Sequence, residues 1–291
     1  MRVLVTGASG MLGLQLIIKL KSLKHHIIPI DLKGLSDVIN IDICNTEAIF
    51  NIFEQTKPNF VIHTAAQTDV DKCTREPEKA FKINALGTWN LAAAAAKAGI
   101  PIIYISTDYV FDGYSKDPYT EYDTPNPLNI YGKSKLAGEQ HIKSLSKKFF
   151  IVRTSWIFSP IGKNFPLTIL DAALKQKELK VVSDQIGSPT YASDIADFLI
   201  SLLDSQMYGT YHFTNSGNCS WYDFTIKILD LAKIKGITVT PISSNDWKSS
   251  TKRPLNGILR HFNLELQGKD NVRSYEEALK EFIKEWTIAK R

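Results

Sequence analysis

A buried strand that runs straight into a glycine turn and then into an apolar helix leaves a chain few folds to choose from. Here Arg2-Val3-Leu4-Val5-Thr6 reads as the strand. Gly7-Ala8-Ser9-Gly10-Met11-Leu12-Gly13 reads as the turn, and Leu14, Leu16, Ile17 and Leu20 form the apolar stripe of the helix. This is the context that a dinucleotide-binding loop requires. Gly7 permits the tight turn, Gly10 lets backbone amides approach a pyrophosphate, and Gly13 lets the helix sit close to the sheet. The helix N-terminus then faces the anion with free amides and a favourable dipole. The spacing is G-x-x-G-x-x-G rather than the more general G-x-G-x-x-G.

The rest of the first half repeats the alternation of strand and helix. Ile27 to Ile30 is a strand ending at Asp31, where an acid meets the adenosine ribose hydroxyls and favours NAD; Lys33 would instead serve a 2′-phosphate. Val38 to Ile41 is a short strand ending in Asp42, read either as a contact to the adenine amino group or as part of a helix cap before Asn45-Thr46-Glu47. Phe60 to His63 is followed by the small residues Thr64-Ala65-Ala66-Gln67-Thr68, past which a flat cofactor can lie. His63, at the end of an apolar strand, reads as structural. One helix is expected over residues 77–98, with Asn84 and the alanines 92–96. Ile100 to Ile105 is a strand ending in Ser106-Thr107-Asp108-Tyr109. Such alternation predicts an α/β fold: a Rossmann-type doubly wound parallel sheet, with ligands beyond the carboxyl ends of its strands.

Tyr131 and Lys135 stand four residues apart, on one face of a helix. An ammonium beside a phenol favours the phenolate, so the Tyr131 pKa is expected to fall from about 10. A phenol so placed exchanges a proton with a carbonyl or alcohol oxygen. Thr107 would offer a hydroxyl to the same oxygen, and Lys135 would also hold the nicotinamide ribose. With the glycine loop supplying a hydride carrier, the constellation predicts an NAD(P)H-dependent oxidoreductase.

The motifs Thr6 to Gly13, Ala65-Ala66 with Val70-Asp71-Lys72, Ser106 to Gly113, and Tyr131-Gly132-Lys133-Ser134-Lys135 resemble those of the extended short-chain dehydrogenase/reductases. With Arg153-Thr154-Ser155-Trp156 and Asp184 to Thr190, the chain is similar over essentially its full length to the dTDP-4-dehydrorhamnose reductases. The resemblance implies a catalytic triad of Thr107, Tyr131 and Lys135. It implies a cofactor surface of Gly7, Ser9, Gly10, Met11, Leu12, Gly13, Asp31, Asp42, Ile43, Ala65, Ala66, Thr68, Tyr131 and Lys135, for NADPH or NADH. It implies substrate contacts from Thr107, Asp108, Tyr109, Trp156 and Arg253. The reaction implied is reduction of the C4 ketone of dTDP-4-dehydro-L-rhamnose to dTDP-L-rhamnose. The family usually continues Leu-Asp-Thr-Ser-Lys-Leu where this chain has Leu259-Arg260-His261-Phe262-Asn263-Leu264. Two other readings use the same motifs. One is a non-catalytic dinucleotide-binding subunit like the regulatory β-subunit of methionine adenosyltransferase. The other is a reductase or epimerase of another nucleotide-sugar.

The organisation expected is a cofactor domain over residues 1–155, with returning segments near 187–215. A smaller, discontinuous substrate lobe takes 156–186 and 216–291. Net charge is +5 without aromatic interleaving of the basic residues, which argues against a nucleic-acid binder and suits an anionic small substrate. No apolar run reaches the length of a membrane span, and no cleavable leader pattern follows Met1. The three cysteines, Cys44, Cys73 and Cys219, are scattered and suggest a reducing, cytoplasmic setting with no metal site. Some members of the family carry a divalent ion at a homodimer contact; no ligand cluster here requires one.

Overall fold

In the computed structural model, residues 1–33, 37–247 and 249–289 are described. Seven parallel strands form the main sheet: β1 (Arg2–Thr6), β2 (His26–Asp31), β3 (Ile39–Asn40), β4 (Phe60–His63), β5 (Ile102–Thr107), β6 (Phe149–Thr154) and an edge strand, Gly209–His212. Their order across the sheet is edge strand, β6, β5, β4, β1, β2, β3. The chain winds outward from β1 in one direction through β3 and in the other from β4 onward, so the order reverses between β1 and β4. That reversal is the switch point where doubly wound sheets bind ligands. Thr6 is in register with His63, and Thr107 with Thr154. The loops carrying the motifs therefore leave one edge of the sheet at similar heights.

β5 is buried along its whole length, as a run of isoleucines sandwiched between two helical layers must be. One face packs α1 (Met11–Ser22) and the helix Ala192–Ser201 through Leu16, Leu20, Ile195 and Leu199. The other packs α2 (Thr46–Thr56) and the helices Thr88–Ala98 and Ile130–Leu145 through Ile49, Phe53, Leu91 and Ile142. A third core, around Phe158, Leu170, Phe224 and Phe282, joins the helices Phe165–Ala173, Trp221–Leu231 and Tyr275–Ala289. It lies beside the parallel pair Glu178–Val182 and Thr238–Ile242.

The single helix expected over 77–98 is interrupted. Pro77–Phe81 is α-helical, Lys82–Gly87 forms a π-turn, and the α-helix resumes at Thr88. Asn84 sits in the turn: its Oδ1 accepts from Gln67 N at 2.8 Å, while Nδ2 donates to Gln67 O and to Ser134 Oγ at 3.1 and 3.0 Å. An extra residue in the turn, as in other π-bulges, lets Asn84 bridge the loop after β4 to the Tyr131 helix. Residues 258–264, which include the departure from the family pattern, return to the sheet. Ile258 O accepts from Tyr119 N, Arg260 N donates to Tyr119 O, and Leu264 enters the first core.

Candidate active site

The glycine loop is built so that side chains cannot enter it. Gly7 has φ +66°, and a Cβ there would lie 2.8 Å from Ala65 N. A Cβ on Gly13 would drive into the Gly7 carbonyl, so α1 rests directly on the turn. Met11 and Leu12 open α1, and first-turn amides have no carbonyl ahead of them in their helix, which favours an anion there. Thr6 Oγ1 accepts from Ala65 N, which locks the loops after β1 and β4 side by side. These features fit a dinucleotide's pyrophosphate laid across the two loops.

Asp31 uses both carboxyl oxygens on backbone amides, accepting from Ser9 N at 2.9 Å and Lys33 N at 3.2 Å. It holds the loop while standing at the end of β2, where a ribose would lie. Asp42 is not the helix cap: Asn45 caps α2 by accepting from Ala48 N. Asp42 is exposed, and its carboxylate accepts a local bond from Cys44 N. Ile43 is buried against the space left by Gly87, and its carbonyl accepts from Asn90. Ala65 and Ala66 are half-buried and Thr68 is exposed along the same edge.

Thr107, Asp108, Tyr109 and Tyr131 come together at the carboxyl end of β5. Tyr109 N donates to Thr107 Oγ1 at 3.2 Å, and Thr107 Oγ1 donates to Asp108 Oδ1 at 3.0 Å. The Tyr109 and Tyr131 rings meet edge to face at 5.8 Å. The Tyr131 helix starts where it does because Asn129 Oδ1 accepts from Gly132 N at 2.9 Å, and Gly132 leaves room for the Tyr109 carbonyl against the helix. Asn129 Nδ2 donates to Lys252 O, tying the same cap to the segment 249–257.

Burial changes the electrostatics expected at the pair. Tyr131's pKa is raised, not lowered: loss of water at the ring dominates, and a Thr107 hydrogen bond pulls the other way. The same desolvation brings Lys135 down to about 7 despite the Glu139 carboxylate nearby. Lys135 is 3% exposed, and its ammonium lies 4.0 Å from the centre of the Tyr104 ring, a contact that favours the cation. Asp108 is also 3% exposed, and burial pushes its carboxyl up to about 7.

Arg253 is half-buried and paired with Asp71 at 2.9 Å; Ser249 Oγ donates to the same carboxylate and Thr251 Oγ1 to Thr74. Its guanidinium also hydrogen-bonds the Tyr109 phenol. Trp156 stands two residues past β6 and stacks on Trp221, with centroids 3.3 Å apart and planes 8° from parallel. By their contacts Trp156 and Asp42 are not part of the Thr107–Tyr131 cluster. His63 is structural, held between Thr6 Oγ1 and Thr88 Oγ1 in full burial, which lowers its pKa. Asn129 and Trp221 lie outside the motifs, although Asn129 had a local signal as an Asn three residues ahead of a glycine at a helix start; Asp71 lies within the Val70-Asp71-Lys72 motif, which does not announce its pairing with Arg253. Among the described residues, no group of three or more His, Cys, Asp or Glu could hold a metal ion, and no helix is long and apolar enough to cross a membrane.

Comparison with known proteins gives the same picture from outside. The family described as RmlD substrate binding domain matches residues 1–288. The spore coat polysaccharide biosynthesis protein SpsK of Bacillus subtilis is 39% identical, with 99% of each chain covered. A dTDP-4-dehydrorhamnose reductase of Aggregatibacter actinomycetemcomitans is 40% identical over 89% of this chain and 90% of its own. Among solved structures, a dTDP-4-dehydrorhamnose reductase of Clostridium acetobutylicum superposes with a TM-score of 0.94 at 44% identity, covering 99% of this chain and 100% of its own. One from Bacillus anthracis, in complex with NADP, superposes at 0.92 with 42% identity, covering 98% and 99%.

Proposed function

The chain belongs to the dTDP-4-dehydrorhamnose reductase family, and we propose that it reduces the C4 ketone of dTDP-4-dehydro-L-rhamnose to dTDP-L-rhamnose with NADPH or NADH. The observation that carries this is the Thr107–Tyr109–Tyr131 cluster beside a glycine loop shaped for a dinucleotide. The fold is that of a Rossmann-type oxidoreductase, and the enzyme acts in dTDP-rhamnose biosynthesis.

When bound, the reduced nicotinamide supplies the hydride that reaches the C4 carbon. Everything else falls to the chain's own residues. Gly7, Ser9, Gly10, Met11, Leu12 and Gly13 bind the pyrophosphate through backbone. Asp31, with Asp42 and Ile43, lines the adenosine end, and Ala65, Ala66 and Thr68 let the cofactor lie flat. Tyr131 gives its proton to the ketone oxygen as the alcohol forms. Its raised pKa keeps the phenol protonated, the form the donor role needs, until charge develops on the substrate oxygen. Thr107 hydrogen-bonds the same oxygen. Lys135, with a pKa near 7, changes charge easily as ligands enter and stabilises the phenolate left behind. Asp108, Tyr109, Trp156 and Arg253 hold the sugar and the diphosphate, Arg253 through a fork suited to phosphate oxygens. We assign residues 1–155, with returning segments near 187–215, to cofactor binding. Residues 156–186 and 216–291 form the substrate lobe, of which 258–264 brace the sheet. The work belongs in the cytoplasm, where reduced nicotinamide and free thiols are maintained.

Tyr131→Phe tests the assignment. The variant is expected to lose kcat by on the order of 10²–10⁴-fold, with cofactor affinity kept, because only the proton donor is removed. Turnover at the wild-type rate would remove Tyr131 from the mechanism.

A further inference from the structure

A threonine hydroxyl has one proton to give and two lone pairs to fill. At Thr107, Tyr109 N fills one lone pair at 3.2 Å. Asp108 Oδ1 stands 3.0 Å from the same hydroxyl, and the Tyr131 phenol is within hydrogen-bonding reach of it. The state of Asp108 decides what is left over. As a carboxylate it only accepts, so it takes the single Thr107 proton, and the remaining lone pair draws the Tyr131 proton. A ketone oxygen arriving there meets no free donor. As a neutral acid Asp108 donates to Thr107 and fills the second lone pair, so the Thr107 and Tyr131 protons both stay free.

The place of the carboxyl favours the neutral form. Asp108 is 3% exposed, and its Oδ2 is buried with no partner among the described residues. Gly257 lies against that oxygen, but its amide is spent on Ile186 O at 2.8 Å. A carboxylate spreads its charge over both oxygens and needs donors at each, whereas an acid leaves only a neutral carbonyl oxygen unpartnered. The titratable groups around it do not supply the missing donor. Tyr109 on the same turn and Tyr131 on the helix Ile130–Leu145 face it as phenols. Arg253, from segment 249–257, and Asp71, from the helix Val70–Arg75, act on Tyr109, while Cys73 of that helix acts on Tyr131. Lys135 is turned to the Tyr104 ring. Burial accordingly outweighs the Thr107 bond and the nearby amides at this carboxyl.

We infer that Asp108 works as a neutral acid and is a positioning residue for the Thr107 hydroxyl: its O–H donates to Thr107 Oγ1 and so turns the Thr107 proton toward the ketone oxygen of the substrate. Asp108 keeps its own proton throughout, and the proton that enters the product is still that of Tyr131. The inference rests on the proposed function, in which Thr107 hydrogen-bonds the ketone oxygen. For the Asp108 carboxyl it replaces a direct hold on the sugar with one made through Thr107.

Two readouts on the full-length protein test it. The first is the infrared spectrum of the unliganded protein, which should show a carboxylic-acid C=O stretch below the Asp108 pKa of about 7 that Asp108→Asn removes. The second is kcat/KM toward the dTDP-4-dehydro sugar as a function of pH. In Asp108→Asn an amide donates to Thr107 at every pH, as the neutral acid does, and no proton can be lost. The ratio of this variant to wild type should therefore climb above pH 7, approaching tenfold per pH unit; Lys135 titrates in both proteins and cancels. Asp108→Ala offers Thr107 no donor and should run about tenfold below Asp108→Asn, the size of one hydrogen bond. In a Thr107→Val background the climb with pH should vanish, which a merely structural role of Asp108 would not produce. The inference is overturned if the acid band is missing, if the ratio is flat with pH, or if the climb persists without the Thr107 hydroxyl. A missing acid band in a protein that reduces the sugar nucleotide leaves the function standing and removes only this role of Asp108. A wild-type protein that does not use the sugar nucleotide at all removes both.

Discussion

Asp108 keeps one carboxyl oxygen, Oδ2, out of water with no hydrogen-bond partner among the described residues. Gly257 makes this possible, since a Cβ there would lie 2.6 Å from that oxygen. A carboxyl in such a place resists ionisation, and burial raises its pKa from 3.8 to about 7. The folded state therefore holds a proton that the unfolded state has already released. The cost to stability grows as pH rises from 3.8 toward 7 and is constant above it. Lys135 acts in the next window: its pKa falls from 10.5 to about 7, so the unfolded state binds more protons there and stability climbs as pH rises from 7 to 10.5. Thermal unfolding followed across pH 4–7 should show a downward slope in the wild type that flattens in Asp108→Asn. An unchanged slope would mean that Asp108 is ionised in the folded protein. That Tyr131 and Lys135 share one helix was readable from their spacing, but their electrostatics were not. A four-residue interval puts two side chains on one face and says nothing about how much water the surrounding fold removes from them.

At the scale of elements, the candidate active site depends on where two helices begin. α1 starts on a glycine turn, and the Tyr131 helix starts on Asn129, which caps Gly132 with one side-chain atom and holds Lys252 O with another. Gly13→Ala forces a Cβ into the Gly7 carbonyl, so the turn must open; cofactor affinity measured by titration should fall by tenfold or more, on the order of 1–3 kcal/mol of overpacking. Binding at wild-type strength would show that the loop has slack. Asn129→Ala should cost about 1 kcal/mol in denaturant unfolding from the lost cap, with a further drop in kcat because Tyr131 lies in that first turn. Asn129→Asp keeps the acceptor and should recover the stability. The glycine turn was legible because its chemistry is local: strand, turn and helix each leave their own pattern within a few residues. The break in the helix at Lys82–Gly87 was not, because what produces it is Asn84 reaching Gln67 and Ser134, one on another loop and one on another helix.

Across the whole molecule, a chain of buried polar groups joins the site to the far edge of the sheet. Glu139 and Arg153 are 0% and 1% exposed and pair at 2.8 Å, with Ser106 Oγ donating to the same carboxylate. Arg153 reaches His212 Nε2, whose Nδ1 donates to the Tyr119 and Arg260 carbonyls. His261 accepts from Thr214 N, and Asn263 donates to Thr210 O. Arg260, His261 and Asn263, among the residues that depart from the family pattern, thus hold the edge strand and the residues after it, while Leu259, which keeps the pattern, packs on Val110, Phe111 and Leu136 beside the Thr107–Tyr131 cluster. Glu139→Gln leaves the Arg153 charge buried without its counter-ion and should destabilise the fold by about 3–5 kcal/mol; the double change Glu139→Gln with Arg153→Met should cost less than the single one. The parallel sheet followed from the alternation of strand and helix. The polar chain did not, because its members lie far apart in sequence and only the topology brings them together. The most direct test of the account is to supply enzymatically made dTDP-4-dehydro-L-rhamnose with NADPH or NADH and follow loss of the reduced-nicotinamide absorbance. The account predicts rapid oxidation of cofactor with formation of dTDP-L-rhamnose; tight cofactor binding with no oxidation of either nicotinamide would contradict it.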